Sequence, residues 1–150
     1  MPSGAATKVM AKKAKLFLVE DHLNTAQALK MYLETQGYVV TVAGDVASAL
    51  KMAADSRFDL LICDLSLPDG TGWDLMKTLS RTAPVRAIAF TASGSAEDIA
   101  KSKRVGFLRH VLKGSAAEEL AAVIEEVLKL KLKSSGSRLT KKRTAAKELS

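Results

Sequence analysis

The sequence predicts an α/β fold, a doubly wound five-stranded parallel sheet with helices on both faces. Three observations carry that expectation. Five short runs, mostly apolar and rich in β-branched or aromatic residues, recur along the chain; stretches of helical period separate them; and the residues just past the runs are polar. Strands buried on both faces and joined through helices pair in parallel with right-handed crossovers, which puts helices on either side of the sheet.

The elements follow in chain order. KLFLV (15–19) is the first strand, and Leu23, Ala26, Leu29 and Leu33 then recur at steps of three and four, as one packed face of a helix does. Gly37 can end that helix, and YVVTVA (38–43) resumes the strand pattern. FDLLIC (58–63) is the third strand; Thr71 with Asp74 then forms a capping box in which the hydroxyl accepts an orphan amide hydrogen bond. VRAIAFT (85–91) is the fourth strand, followed by a second such pair, Ser95 with Asp98, and by Gly106 as a helix stop. RHVLK (109–113) is the fifth. Ser115 with Glu118 is read as the cap of the last helix, whose packed face is Leu120, Val123, Ile124, Val127 and Leu128.

A chain of 150 residues with 47% apolar and 26% charged residues suits one globular domain with a real core. The opening segment MPSGAATKVMAKKAK has no apolar core of a signal peptide, and the longest apolar run, Leu120 to Ile124, is far too short to span a bilayer. Neither secretion nor membrane insertion is expected. Cys63 is alone, so no internal disulfide and no thiolate metal set can form; it reads as a small buried hydrophobe in a reducing cytoplasm. The net charge of +7 is unevenly placed: residues 133–150 carry +5, residues 1–13 carry +3, and residues 14–132 carry −1. This divides the chain into a flexible basic N-terminal segment (1–13), a nearly neutral domain (14–132) and a flexible basic C-terminal tail (133–150). The ends read as solvated tails, with a nucleic-acid arm as the sharper alternative.

In an open parallel sheet the site lies outside the carboxyl ends of the strands. Those ends hold Glu20 and Asp21 after the first strand, Asp64 after the third, Thr91 closing the fourth and Lys113 closing the fifth. Three clustered carboxylates repel one another unless a cation joins them. Oxygen donors without a Cys/His set favour Mg²⁺ over zinc. Mg²⁺ takes one or two carboxylates plus phosphate oxygens, leaving a carboxylate free to attack a phosphoryl group, while a hydroxyl and an ammonium stabilise the phosphoryl oxygens. The chemistry implied is formation of an aspartyl phosphate.

With those residues in that order, the chain resembles the receiver domains of two-component response regulators over about residues 14 to 132. Glu20 and Asp21, Asp64, Pro68 and Gly72, Thr91 and Lys113 carry the resemblance, and DLSLPDGTGWDLM and GFLRHVLK look like receivers attached to hybrid histidine kinases. The resemblance implies a flavodoxin-like receiver fold of strand order 2-1-3-4-5. It implies that Asp64 accepts a phosphoryl group from a phosphohistidine. It further implies that Asp21, Asp64 and the Ser66 backbone carbonyl bind Mg²⁺ directly with Glu20 acting through water, and that Thr91 and Lys113 sense the phosphoryl group.

Two departures from the family pattern stand out. His110 occupies the switch position that is usually aromatic, where a histidine ring can add pH sensitivity, and Gly114 replaces the proline that usually follows the lysine, which loosens the loop. A dinucleotide-binding reading fails because EDHLN after the first strand lacks glycines, and a haloacid-dehalogenase-type phosphatase fails because Ser66 stands where a second Asp is needed. The expectation is a phosphoacceptor signalling domain rather than an enzyme. It serves phosphorelay signal transduction in the cytoplasm, with a histidine kinase or histidine phosphotransfer protein as donor and a switched protein–protein surface as output. A homodimer is possible, and no DNA-binding output domain or membrane contact is expected. The alternative is a phosphorylation-regulated interaction module whose basic tail binds nucleic acid or an acidic protein.

Overall fold

A computed structural model of the chain describes residues 14–130 and 132. The expectations for residues 1–13 and 133–150 lie outside the described residues. The elements are β1 (Lys15–Val19), α1 (Leu23–Thr35), β2 (Val39–Ala43), α2 (Val46–Asp55), β3 (Leu60–Cys63), β4 (Ser66–Leu67), β5 (Gly70–Thr71), α3 (Gly72–Ser80), β6 (Ala87–Thr91), α4 (Ala96–Val105), β7 (Arg109–Leu112) and α5 (Ala117–Leu128). The main sheet has five strands in the order β2-β1-β3-β6-β7, every pair parallel. Counting only its own strands, this is the expected 2-1-3-4-5. The short β4 and β5 form an antiparallel hairpin between β3 and α3.

Alternation along the strands divides the core in two, because successive side chains point to opposite faces. Leu16, Leu18, Leu60, Ile62, Ile88 and Phe90 pack with Ala26, Leu29 and Leu33 of α1 and Leu120, Ile124 and Val127 of α5. Phe17, Val19, Leu61, Cys63, Ala87 and Ala89 pack on the other face with Ala49 of α2 and Leu75 and Met76 of α3. Fully burying one such aliphatic side chain contributes about 1.5–3 kcal/mol, so this two-faced core, rather than helix propensity, fixes where the strand ends stand.

Local signals were mostly obeyed. Thr71 and Ser95 accept from the Asp74 and Asp98 amides and cap α3 and α4, and Gly106 ends α4 at φ 114°, a left-handed conformation that costs other residues energy. Two expectations are corrected. Ser115 does not cap α5: the helix starts one residue later, so Ala116 is the N-cap and has no side-chain oxygen to offer, while Ser115 lies in the turn its amide closes with the Leu112 carbonyl. Leu23 has the right period but is 69% exposed, because it stands in the first turn, beyond the edge of the packed face.

Candidate functional site

The sheet register brings the predicted residues to one edge. Val19 pairs with both Ala43 and Cys63, and Cys63 with Ala89, so Glu20 and Asp64 leave adjacent strands side by side. The backbone holds them there: the Glu20 amide donates to the Ala43 carbonyl (2.9 Å) and the Asp64 amide to the Val19 carbonyl (3.0 Å). Both carboxylates are buried, Glu20 to 2% and Asp64 to 4% exposure, while Asp21 lies open. The strand end thus carries Asp64 past the apolar layer into a polar recess.

Lys113 supplies the cation for that recess. It stands one residue past β7, its amide bonded to the Thr91 carbonyl (2.9 Å), and its Nζ lies 2.7 Å from Asp64 Oδ2 and 2.7 Å from Glu20 Oε1. The contact to Asp64 is a hydrogen bond; the one to Glu20 Oε1 is an ion pair without hydrogen-bonding geometry, which leaves that buried oxygen with a charge partner only. Burial pushes the Glu20 carboxyl up, but Lys113 and the His22 N–H outweigh it and hold the group below its usual range. Burial pushes Lys113 down, and its bonds to Asp64 and Glu20 more than reverse this. Both groups therefore stay charged at neutral pH. Burial first, then the charges of Asp64 and Glu20, drives the Cys63 thiol far up, so it stays protonated.

The remaining predicted residues are placed as follows. The Ser66 amide points at Asp64 Oδ1 over 3.3 Å. Thr91 is buried, and its hydroxyl accepts from the Ser93 amide (3.3 Å). His110 turns its ring toward the same loop, with Nε2 2.7 Å from the Ser93 carbonyl. That carbonyl only accepts, so Nε2 carries the proton, and the buried Nδ1 has no partner. Ser93 also bonds Asp98 through its hydroxyl (2.5 Å), so three contacts fix the loop after β6.

Sequence reasoning missed His22. Its Nδ1 lies 3.0 Å from Glu20 Oε2 and 3.5 Å from Asp21 Oδ1, and one ligand atom from each of Glu20, Asp21, His22 and Asp64 falls within 4.8 Å of the others. The signal was the letter after the acidic pair, but a lone histidine announces nothing before the fold turns it back. With three carboxylates against one ammonium, the donor set carries excess negative charge and suits a hard divalent cation.

Comparison with known proteins agrees with the geometry. Residues 16–125 match the response regulator receiver domain, and the chain belongs to that family. It is 32% identical over 116 residues to the transcriptional regulatory protein CusR of Escherichia coli (strain K12), covering 77% of this chain and 51% of CusR. It is 35% identical over 114 residues to the sensory transduction protein RegX3 of Mycolicibacterium smegmatis, covering 76% of this chain and 50% of RegX3. The chain thus spans about half the length of the curated relatives it matches. Among solved structures, the non-phosphorylated HemR receiver domain of Leptospira biflexa superposes with a TM-score of 0.75 at 28% identity, covering 79% of this chain and 97% of that one. The chemotaxis response regulator CheY4 of Vibrio cholerae gives 0.72 at 28% identity, covering 77% and 99%. Receiver domains take phosphoryl groups from histidine kinases or phosphotransfer proteins, and membership makes this a domain of phosphorelay signalling. No helix among the described residues is long and apolar enough to cross a membrane.

Proposed function

We propose that Asp64 is the phosphoacceptor of this domain, charged from a phosphohistidine of a histidine kinase or phosphotransfer protein in the cytoplasm. The observation that carries the reading is the pairing of Asp64 Oδ2 with Lys113 Nζ at 2.7 Å, in a recess shared with Glu20. Asp64 attacks phosphorus through one carboxylate oxygen; the bond to the donor imidazole nitrogen breaks and its electron pair leaves with the imidazole. Lys113, already in contact with the acceptor, transfers its hydrogen bond to a phosphoryl oxygen, and the Ser66 amide steadies the other side of the carboxylate. Thr91 releases the Ser93 amide to reach the phosphoryl group. Glu20, Asp21 and Asp64, with the Ser66 backbone carbonyl, would hold Mg²⁺, which when bound offsets phosphoryl charge.

The output is a changed protein-binding surface, reached through the loop that Thr91, Ser93 and His110 share. Acetyl phosphate with Mg²⁺ tests the acceptor. A single base-labile phosphoryl group on the peptide containing Asp64, absent in Asp64→Asn, is the expected result. A label on Ser66, Thr91 or Ser93 with Asp64 unmodified overturns the assignment.

A further inference from the structure

His22 occupies the N-cap position of α1 in extended backbone, φ −81° and ψ 109°, yet makes no side-chain cap hydrogen bond. An N-cap side chain ordinarily serves the free amides of its own helix. This one turns away from them. Its Nδ1 faces Glu20 Oε2 at 3.0 Å and Asp21 Oδ1 at 3.5 Å, while the side chain stays 70% exposed. Adjacent ligands on an octahedral ion with bonds of about 2.1 Å stand about 3.0 Å apart. The nitrogen already stands at that spacing from Glu20 Oε2 and somewhat beyond it from Asp21 Oδ1, and Asp64 completes a group within 4.8 Å.

Glu20 itself is held at both carboxylate oxygens. The Glu20 side chain is wholly buried, and its Oε1 has no hydrogen-bond partner, only the Lys113 ammonium. Its other oxygen is kept in place by the His22 backbone amide at 2.9 Å. That bond survives whatever the imidazole does.

We propose that His22 is itself a ligand of the ion, and that this nitrogen tilts the site from Mg²⁺ toward first-row transition ions of the Mn²⁺ to Zn²⁺ series. The inference rests on the reading of the carboxylate cluster as a divalent-cation site. Mg²⁺ is hard, prefers oxygen and gains little from an imidazole, whereas the later ions bind it well. Ligation needs a lone pair on Nδ1, with the proton on Nε2. The exposure of the ring lets water receive that proton, so the tautomer is accessible. The contact with Glu20 Oε2 is then one edge of a coordination sphere instead of a hydrogen bond.

Calorimetric titration of the full chain without a polyhistidine tag, using Ni²⁺ and Mg²⁺ separately, tests this. The parent is compared with His22→Asn, which can still donate to Glu20, and with His22→Ala; circular dichroism checks that each folds. The preference for Ni²⁺ over Mg²⁺ is expected to fall about tenfold or more in both variants, since loss of even an outer-shell partner costs about 10–100-fold in metal affinity. Pulsed electron paramagnetic resonance of the Mn²⁺-loaded parent should show imidazole nitrogen coupling that is lost in His22→Asn. Binding of both ions with an unchanged preference, or nitrogen coupling that persists in His22→Asn, overturns the inference and leaves the cation site standing. Failure of the parent to bind either ion overturns the site and the inference together.

Discussion

Lys113 donates to Asp64 across 2.7 Å of space and 49 residues of chain, and this one bond links the last strand of the sheet to the central one. The same ammonium neutralises Glu20. Lys113→Ala therefore leaves two buried carboxylates without their cation. In metal-free buffer the variant should lose about 1–3 kcal/mol by urea unfolding, the usual cost of a buried polar group stripped of its partner. Millimolar-scale Mg²⁺ should restore part of that loss by mass action. Phosphoryl labelling of Asp64 should persist, since the attacking oxygen is untouched. Asp64→Asn should do the reverse: it removes a charge from an over-negative cluster, so metal-free stability should stay within about 1 kcal/mol of the parent while labelling is lost.

His110 tests the loop after β6. Its Nε2 bond to the Ser93 carbonyl stabilises the loop, while its buried Nδ1 is unsatisfied, so the two effects oppose each other. His110→Phe keeps the ring and discards both. Global stability should change by less than about 1 kcal/mol, but amide exchange of residues 92–95 should quicken. Unchanged exchange would show that the Thr91 and Asp98 contacts to Ser93 hold the loop without the imidazole.

The sheet was legible because burial on both faces leaves its mark in every strand: LFLV, LLIC and AIAF contain nothing but apolar residues. Glu20, Asp64, Thr91 and Lys113 were legible for the complementary reason, being the polar letters that follow or close such runs. What escaped is local geometry that leaves no periodic mark in the sequence. Nothing near Ser115 shows that it belongs to the turn with Leu112 and that the helix starts past Ala116. Nothing near His22 shows that its Nδ1 turns to the acidic pair while the rest of the ring stays in water. The β4–β5 hairpin is two residues a side, below the length at which alternation can register.

Asp69 ties that hairpin to α2. Its carboxylate accepts from the Val46 amide (2.7 Å) and the Ala47 amide (3.0 Å), and these two bonds hold its pKa below the ordinary 3.8. A depressed carboxyl contributes stability that is present above its unfolded value and lost as pH falls through the folded one. Asp69→Ala should therefore melt below the parent at pH 7. The difference should shrink as pH drops below 3.8. A gap of constant size down to pH 2 would show that the charge of Asp69 does not contribute.

Gly72 packs directly against the backbone of Asp64. It begins α3 and donates its amide to the Leu65 carbonyl (3.0 Å), pressing the helix start against the chain that carries the acceptor. A Cβ built there would stand 2.4 Å from the Asp64 carbonyl oxygen, 3.0 Å from Cys63 Sγ and 3.1 Å from Leu65 Cα. Two of these three neighbours are backbone, so no rotamer change relieves the clash. Either the helix start or the Asp64 peptide must move. Gly72→Ala should cost about 1–3 kcal/mol, the range for overpacked sites, even though Ala is the better helix former. Its effect should also reach the chemistry, because a shift of the Asp64 backbone opens the 2.7 Å contact to Lys113. Slower labelling by acetyl phosphate together with a lower urea midpoint is the expected pair of results. Gly114, with nothing within 4 Å of its Cβ position, supplies the control, and Gly114→Ala should leave the urea midpoint nearly unchanged. Parent-like stability and labelling in Gly72→Ala would mean that α3 can retreat without disturbing Asp64.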